Sequence, residues 1–445
     1  MNQHRSFHNT LLMVLVCILP LFVFFVLVVG GVRISPIFFL LVLVVCCGAM
    51  MYFMRGAPMS AQPEDREPAD EAAGGDLTLL GKVSDVFALR TQYKEGTNLV
   101  AEGKLLADPD RAYEAMKERF EKTDVTPLLQ EDDSGRPIVA LVPGALQRHG
   151  DRPQKVWLNA ILFLATVVTT TIAGAAHQGV SLWSNPEEFS LGLPYAGALL
   201  AILGAHELGH YFAAKKHGMR VTLPYFIPVP FALGTFGAFI QLKSPSENRK
   251  ALFDVGVAGP LAGLVFAIPA LMIGLQYSTI VPSSETGALM DGGTDVGSSL
   301  LLAILANLSV SETLSGGHQF LLHPLAFAGW LGLLVTALNL LPIGQLDGGH
   351  IAHALFGRKN SNTIGMVALF SLFLLGLFVW SGLLTWAIIV FFIAGTKSAP
   401  PLNDVSRLDG TRVAIGVLAF VLLFLILTPV PHAFHEVIGI HCPYV

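Results

Sequence analysis

Leu191-Gly-Leu-Pro-Tyr-Ala-Gly-Ala-Leu-Leu-Ala-Ile-Leu-Gly-Ala-His206-Glu207-Leu208-Gly209-His210-Tyr-Phe-Ala-Ala214 is an apolar run long enough to span a bilayer, interrupted by two histidines and a glutamate. His206 and His210 stand at i and i+4. On a helix that spacing stacks both imidazoles on one face, one turn apart. It is the arrangement a zinc ion needs from its first two ligands, with Glu207 beside them as a base for a water molecule. Unpaired polar groups are costly in hydrocarbon, so three ionisable residues at that depth point to a site.

The rest of the chain supports a membrane setting. Of its 445 residues, 53% are hydrophobic and only 13% are charged. That composition belongs to polytopic membrane proteins and argues against a soluble enzyme. No basic run interleaved with aromatics suggests nucleic-acid binding. Cys17, Cys46 and Cys47 lie in apolar runs and Cys442 near the C-terminus, a spacing that offers neither a disulfide framework nor a thiolate metal site. The run 11–30 is longer than the roughly 7–15 residues of a signal-peptide core and lacks a small-residue cleavage site, so it reads as an anchor.

Apolar runs of spanning length fall near 11–30, 35–54, 156–175, 191–214, 252–275, 325–342, 364–380, 382–395 and 413–430. The stretch 222–242 is also apolar, but Pro224, Pro228, Pro230, Gly234 and Gly237 punctuate it. Irregular backbone survives at membrane depth only against protein or water, which predicts a re-entrant hairpin. Lys215, Lys216 and Arg220 precede this stretch, and Lys243, Arg249 and Lys250 follow it, so both flanks read as cytoplasmic. The expected fold is therefore an α-helical polytopic membrane protein of about nine spans plus a re-entrant hairpin, with its N-terminus inside and C-terminus outside. A small soluble α+β insert interrupts it. The expected location is a cytoplasmic (inner) membrane, crossed many times.

The expected organisation is two anchors at 1–55, a flexible linker at 56–76, an α+β insert at 77–150, a core at 151–430 and an exterior tail at 431–445. Within the insert, 83–93 and 97–106 read as strands. Asp108-Pro109 reads as a helix start, and Tyr113, Met116 and Phe120 as the buried stripe of that helix. Residues 128–130 and 137–142 flank a turn at Asp132-Asp133-Ser134-Gly135, which reads as a hairpin. The insert carries no catalytic constellation, and a protein partner for it is an open expectation.

Catalytic zinc usually takes three protein ligands and leaves one position open. Asp347, in Asn339-Leu-Leu-Pro342-Ile-Gly344-Gln345-Leu346-Asp347-Gly348-Gly349, is the best third candidate. His206 and His210 precede Lys215 by roughly 8–14 Å of helix, and Asp347 precedes Arg358 by about 16 Å, so the three can share one depth. Asn339 offers an amide for an oxyanion or a substrate strand; a hydrogen bond between helices is the alternative. His350 reads as a packing histidine, with a place in the outer shell of the metal as the alternative. Gly348-Gly349 reads as a helix-breaking turn, compatible with a functional role.

These residues closely resemble the site-2 protease family. His206-Glu207-Leu208-Gly209-His210 and Leu346-Asp347-Gly348-Gly349 match its two zinc motifs. The resemblance implies an intramembrane zinc protease with His206, His210 and Asp347 as ligands to Zn2+ and Glu207 as catalytic base. It also implies transmembrane protein substrates, met within the lipid bilayer. Ala258-Gly259-Pro260-Leu261-Ala262-Gly263 resembles the family's A-G-P-x-x-N segment, with Gly263 where many members carry asparagine. Gly234-Thr-Phe-Gly237-Ala238 resembles the hairpin that aligns substrate in the family, so Gly234 and Gly237 join Asn339 as substrate-binding candidates. Gly344-Gln345 replaces a common proline pair. That variant resembles the subgroup of plastid proteins named for deficient gravitropism and yellow-green leaves, and their bacterial relatives. A metal transporter and an inactive scaffold are the competing functions: the first needs a polar path across the whole bilayer, which the spans do not offer, and the second sits poorly with an intact Glu207.

Overall fold

A computed structural model describes residues 66–68, 77–132, 134–144, 154–282, 299–309, 318–378, 381–395 and 399–428. The expected anchors, the tail 431–445 and the linker 56–76 other than Arg66–Pro68 lie outside the described residues. Arg66–Pro68 (β1) is not free chain. It pairs antiparallel with Tyr93–Glu95.

The chain is mostly helical with a small sheet region. Among the described residues, four helices are long and apolar enough to cross a membrane: α3 (Val156–Ala176), the stretch Pro186–Lys216 containing α4 (Leu193–Lys216), α5 (Arg249–Gln276) and α10 (Gly410–Leu427). The expected runs 364–380 and 382–395 correspond to the latter part of α8 (Asp347–Phe378) and to α9 (Ser381–Ala394). The run 325–342 is α7 (Pro324–Leu340), capped by His323, whose ring nitrogen accepts from Leu325 N–H. Between α5 and α7, where the sequence shows no apolar run of spanning length, lies a further apolar helix, α6 (Leu300–Ser309). Its Leu301, Leu305 and Ala306 are buried in the same cluster as Leu271 of α5 and Leu423 of α10. An uncharged leucine-rich segment gains more from that burial than from remaining in water.

Residues 222–242 form no helix. Strands β6 (Tyr225–Pro228) and β7 (Thr235–Phe239) pair antiparallel, with an irregularity between Phe226 and Pro228. The hairpin sits tightly on α3 at Gly234 (φ 80°), where a Cβ would come within 2.6 Å of the Thr169 carbonyl oxygen. The Thr169 hydroxyl donates to the Gly234 carbonyl at 2.7 Å.

The soluble part begins with α1 (Leu77–Gly81), followed by strands β2 (Phe87–Glu95), β3 (Asn98–Leu105), β4 (Val125–Glu131) and β5 (Pro137–Pro143), which lie in the order β2-β3-β5-β4. The first strand starts later than the expected 83–93, because Lys82–Val86 turn first and bury Val83 and Val86 beneath the sheet. Helix α2 (Pro109–Phe120) starts as its sequence suggests: Asp108 accepts from Asp110 N–H, and Pro109 occupies the first turn, where no N–H is needed. Tyr113, Met116 and Phe120 point into a core shared with Phe87, Leu129 and Leu141. Leu402, from the connection between α9 and α10, enters that same core.

Candidate metal centre

Helix α4 presents His206, Glu207 and His210 from a buried turn. It can do so because α5 approaches closely: a Cβ on Gly209 would lie 2.5 Å from the Ala258 carbonyl oxygen. Gly259 of α5 lies directly over the His210 ring, and a Cβ there would overlap three of the ring atoms. The His210 ring is oriented from its other side, with Nδ1–H donating to the Val255 carbonyl at 2.7 Å. A carbonyl only accepts, so in the neutral ring Nε2 carries the lone pair.

That lone pair faces two others. His210 Nε2 and His206 Nε2 are 3.1 Å apart, and Asp347 Oδ2 lies 3.4 Å from His206 Nε2 and 3.3 Å from His210 Nε2. Asp347 opens α8, and Gly348 and Gly349 lie inside that helix, not in a turn that breaks it. They are small because the first turn presses on the backbone that leads out of α7: a Cβ on Gly348 would overlap the carbonyl of Leu340, and one on Gly349 that of Gly344. The three ligand atoms are the one group of its kind among the described residues able to hold a metal ion. In a tetrahedral zinc site with bonds of about 2.0–2.1 Å, neighbouring ligand atoms stand roughly 3.3–3.4 Å apart. The observed triangle fits that size, and two imidazole lone pairs and a carboxylate converging in a buried place need a cation between them.

His206 differs from His210 in one respect. Its Nδ1 is buried and makes no hydrogen bond. The helix surface opposite is Gly263, whose Cβ, if it had one, would stand 3.5 Å from that nitrogen.

Glu207 is 7% exposed and sits beside the triangle on α4. Asn339 is half-buried in the last turn of α7, shortly before the turn that leads to Asp347. His350 lies on α8 one turn beyond Asp347 and is not part of the triangle; its Cβ packs 3.2 Å from where a Gly256 Cβ would be. Gly234 and Gly237 lie in and beside the hairpin, Gly234 with a packing role against α3 and Gly237 with open space above its Cα. Sequence reasoning missed Val255, whose carbonyl orients His210, and the fully buried pair His353 and Asp404, whose side chains meet at 2.9 Å. A main-chain acceptor leaves no trace in residue type. Asp404 looks like an ordinary loop carboxylate until its partner is known.

Residues 194–379 match the family described as Peptidase family M50. The chain is 29% identical over 358 residues to the probable zinc metalloprotease EGY2, chloroplastic, of Arabidopsis thaliana, covering 79% of this chain and 63% of that protein. It is 33% identical over 312 residues to the probable zinc metalloprotease EGY1, chloroplastic, of the same plant, covering 65% of this chain and 56% of that protein. The chain thus spans less than two thirds of the length of these curated relatives. No solved structure matches. With both histidines and the aspartate of the triangle inside the matched segment, residues 194–379 form a Peptidase family M50 domain, the domain of the site-2 proteases.

Proposed function

We propose that the chain is a zinc-dependent intramembrane endopeptidase that cuts transmembrane segments of membrane proteins. The observation that carries this is the triangle of His206, His210 and Asp347 at zinc-ligand spacing, with Glu207 beside it on the same helix turn. Bound there, zinc would act as a Lewis acid on the scissile carbonyl and lower the pKa of a water molecule. Glu207 takes the proton of the attacking water and passes it to the leaving amide nitrogen. Asn339 supplies a donor to the oxyanion or holds the substrate strand. An extended substrate pairs with the β6–β7 hairpin at Gly234 and Gly237, where main-chain bonds demand no particular side chain. Such a substrate must be locally unwound, because a helix has no free backbone groups to offer.

The remaining parts of the proposal concern setting. The chain makes about nine spans with 222–242 re-entering from the cytoplasmic side, and residues 77–150 form a cytoplasmic domain between two N-terminal anchors and the core. The flanking basic residues support that orientation. The membrane is a cytoplasmic (inner) one; the names of the relatives specify the chloroplast, which makes a plastid membrane the alternative. In detergent or liposomes, the purified protein should cleave a single-pass model substrate in a zinc-dependent way. Glu207→Gln should abolish cleavage while leaving bound zinc at wild-type level. Cleavage that survives in Glu207→Gln would overturn the assigned base, and zinc flux into liposomes without proteolysis would favour a transporter.

A further inference from the structure

The outer edge of β4, the last strand of the insert's sheet, is partly covered. The connection between α9 and α10 lies along it: Leu129 N–H donates to the Leu402 carbonyl and Asp404 N–H to the Leu129 carbonyl, both at 2.8 Å. On its other side the same segment bonds to the residues just before α5, with Leu402 N–H donating to Ser246 at 2.9 Å and Asn403 N–H to Glu247 at 2.8 Å. The segment 402–404 thus bridges the insert and the start of α5, with Asn403 paired parallel to Leu129 on one side and to Asn248 on the other. Side chains close the same seam. Lys250 meets Asp110 at 2.7 Å, Gln130 donates to the Pro401 carbonyl at 2.7 Å, and Lys117 pairs with Glu247.

Through the middle of this seam runs a line of ionic contacts. Glu131, at the end of β4, accepts from Arg249 Nη2 at 3.2 Å. Arg249 Nε donates to Asp404 Oδ1 at 2.9 Å. Asp404 in turn meets His353 Nε2 at 2.9 Å. Asp404 and His353 are both fully buried, where a charge-bearing group persists only when held by partners. His353 stands on the first segment of α8, the one that begins with Asp347 and is cut off from the rest of the helix at Gly357 (φ 76°). A Cβ on Gly357 would lie 3.4 Å from Arg249 Nη2 and 3.7 Å from Glu131 Oε2, so the break itself abuts the line. Arg249 likewise opens α5, the helix whose Val255 and Gly259 orient His210.

We propose that the insert is a positioning element of the metal centre, acting through Glu131, Arg249, Asp404 and His353. This short segment, with a ligand at one end and a break at the other, is packed into the core through Ile351, Ala352 and Ala354, and His353, locked to Asp404, adds the polar contact that fixes its rotation. Asp404 and His353 are positioning residues: they touch neither substrate nor metal, and they set the direction in which Asp347 faces the two histidines. The same line reaches the insert, so displacement of β4 from the segment 402–404 loosens the aspartate end of the site.

The inference rests on the zinc reading of the triangle, and the test separates the two. Zinc affinity of the full-length protein in detergent is measured by competition with a chromophoric chelator, for wild type, His206→Ala, Asp404→Asn and Glu131→Gln. The expected result is that Asp404→Asn binds zinc about tenfold more weakly, the low end of what loss of an outer partner costs a metal site. Glu131→Gln, a change at the half-exposed end of the line, should shift affinity in the same direction by a smaller factor with helical content unchanged. It carries the test if Asp404→Asn fails to fold. If wild type binds zinc, His206→Ala weakens it, and both line variants bind like wild type, the coupling is overturned and the zinc reading stands. If wild type binds no zinc, both fall together.

Discussion

His210 is confined on three sides: a carbonyl behind it, the other two ligand atoms in front and Gly259 above. A methyl group at position 259 has no room unless the imidazole moves, and interiors packed to crystal density yield little. Gly259→Ala is therefore expected to lower zinc affinity by about tenfold or more and cleavage with it, as loss of ligand orientation does elsewhere. Chelator competition checks this, with circular dichroism confirming that the helices persist. Wild-type affinity in Gly259→Ala would mean that the ring is not confined as described. His206 is held less firmly, with a buried Nδ1 that finds no acceptor and a glycine opposite it. The sequence marked Gly263 as a departure from the family pattern; the structure supplies the physical counterpart, since a short polar side chain there would face that nitrogen.

Among the elements, the β4–β5 hairpin shows how a turn can carry a pH dependence. Asp132 accepts from the Ser134 hydroxyl at 2.7 Å and Ser134 N–H at 2.8 Å, and from Arg136 N–H at 2.8 Å and Arg136 Nε at 2.9 Å. The Ser134 hydroxyl first, then the Arg136 backbone and guanidinium, hold its carboxyl well below the usual carboxylate range, against the opposing effect of burial. A group with a depressed folded pKa contributes stability above its unfolded pKa, and that contribution is lost as pH falls through the folded value. Asp132→Asn is thus expected to lower the melting temperature of the full-length protein at pH 7. The gap to wild type should narrow on acidification below about pH 4, where the unfolded carboxyl titrates. Melting curves of the two proteins at several pH values measure it; a gap that widens with acid would refute the assignment. The hairpin at 222–242 makes a different point. Its prolines and glycines excluded a helix from the sequence alone, but its seat on α3, through Thr169 and Gly234, depends on two segments the sequence does not relate.

At the level of the whole molecule, the triangle joins α4 to α8, which are far apart in sequence and meet across α5. A ligand that binds only the folded arrangement stabilises it by mass action. Zinc at a hundred times its dissociation constant should add about 2.7 kcal/mol, seen as an upward shift in melting temperature that a chelator reverses. Asp347→Ala should abolish the shift. A shift of equal size in that variant would place the ion elsewhere.

The sequence by itself determined the membrane character, helices α2, α3, α4, α5, α7 and α10, the hairpin and the three residues of the triangle. Each of these is written in local pattern: apolar length, Asp108-Pro109, proline and glycine punctuation, histidines at i and i+4. It was silent on α6 as a packed helix, on the bridging segment 402–404 and on the line from Glu131 to His353, and it read a break at Gly348-Gly349 where α8 begins. Only the tertiary structure decided those, because each consists of groups that are unremarkable alone and gain their meaning from partners brought together by folding. A buried carboxylate and a loop carboxylate are the same letter, and burial is a property of the whole chain.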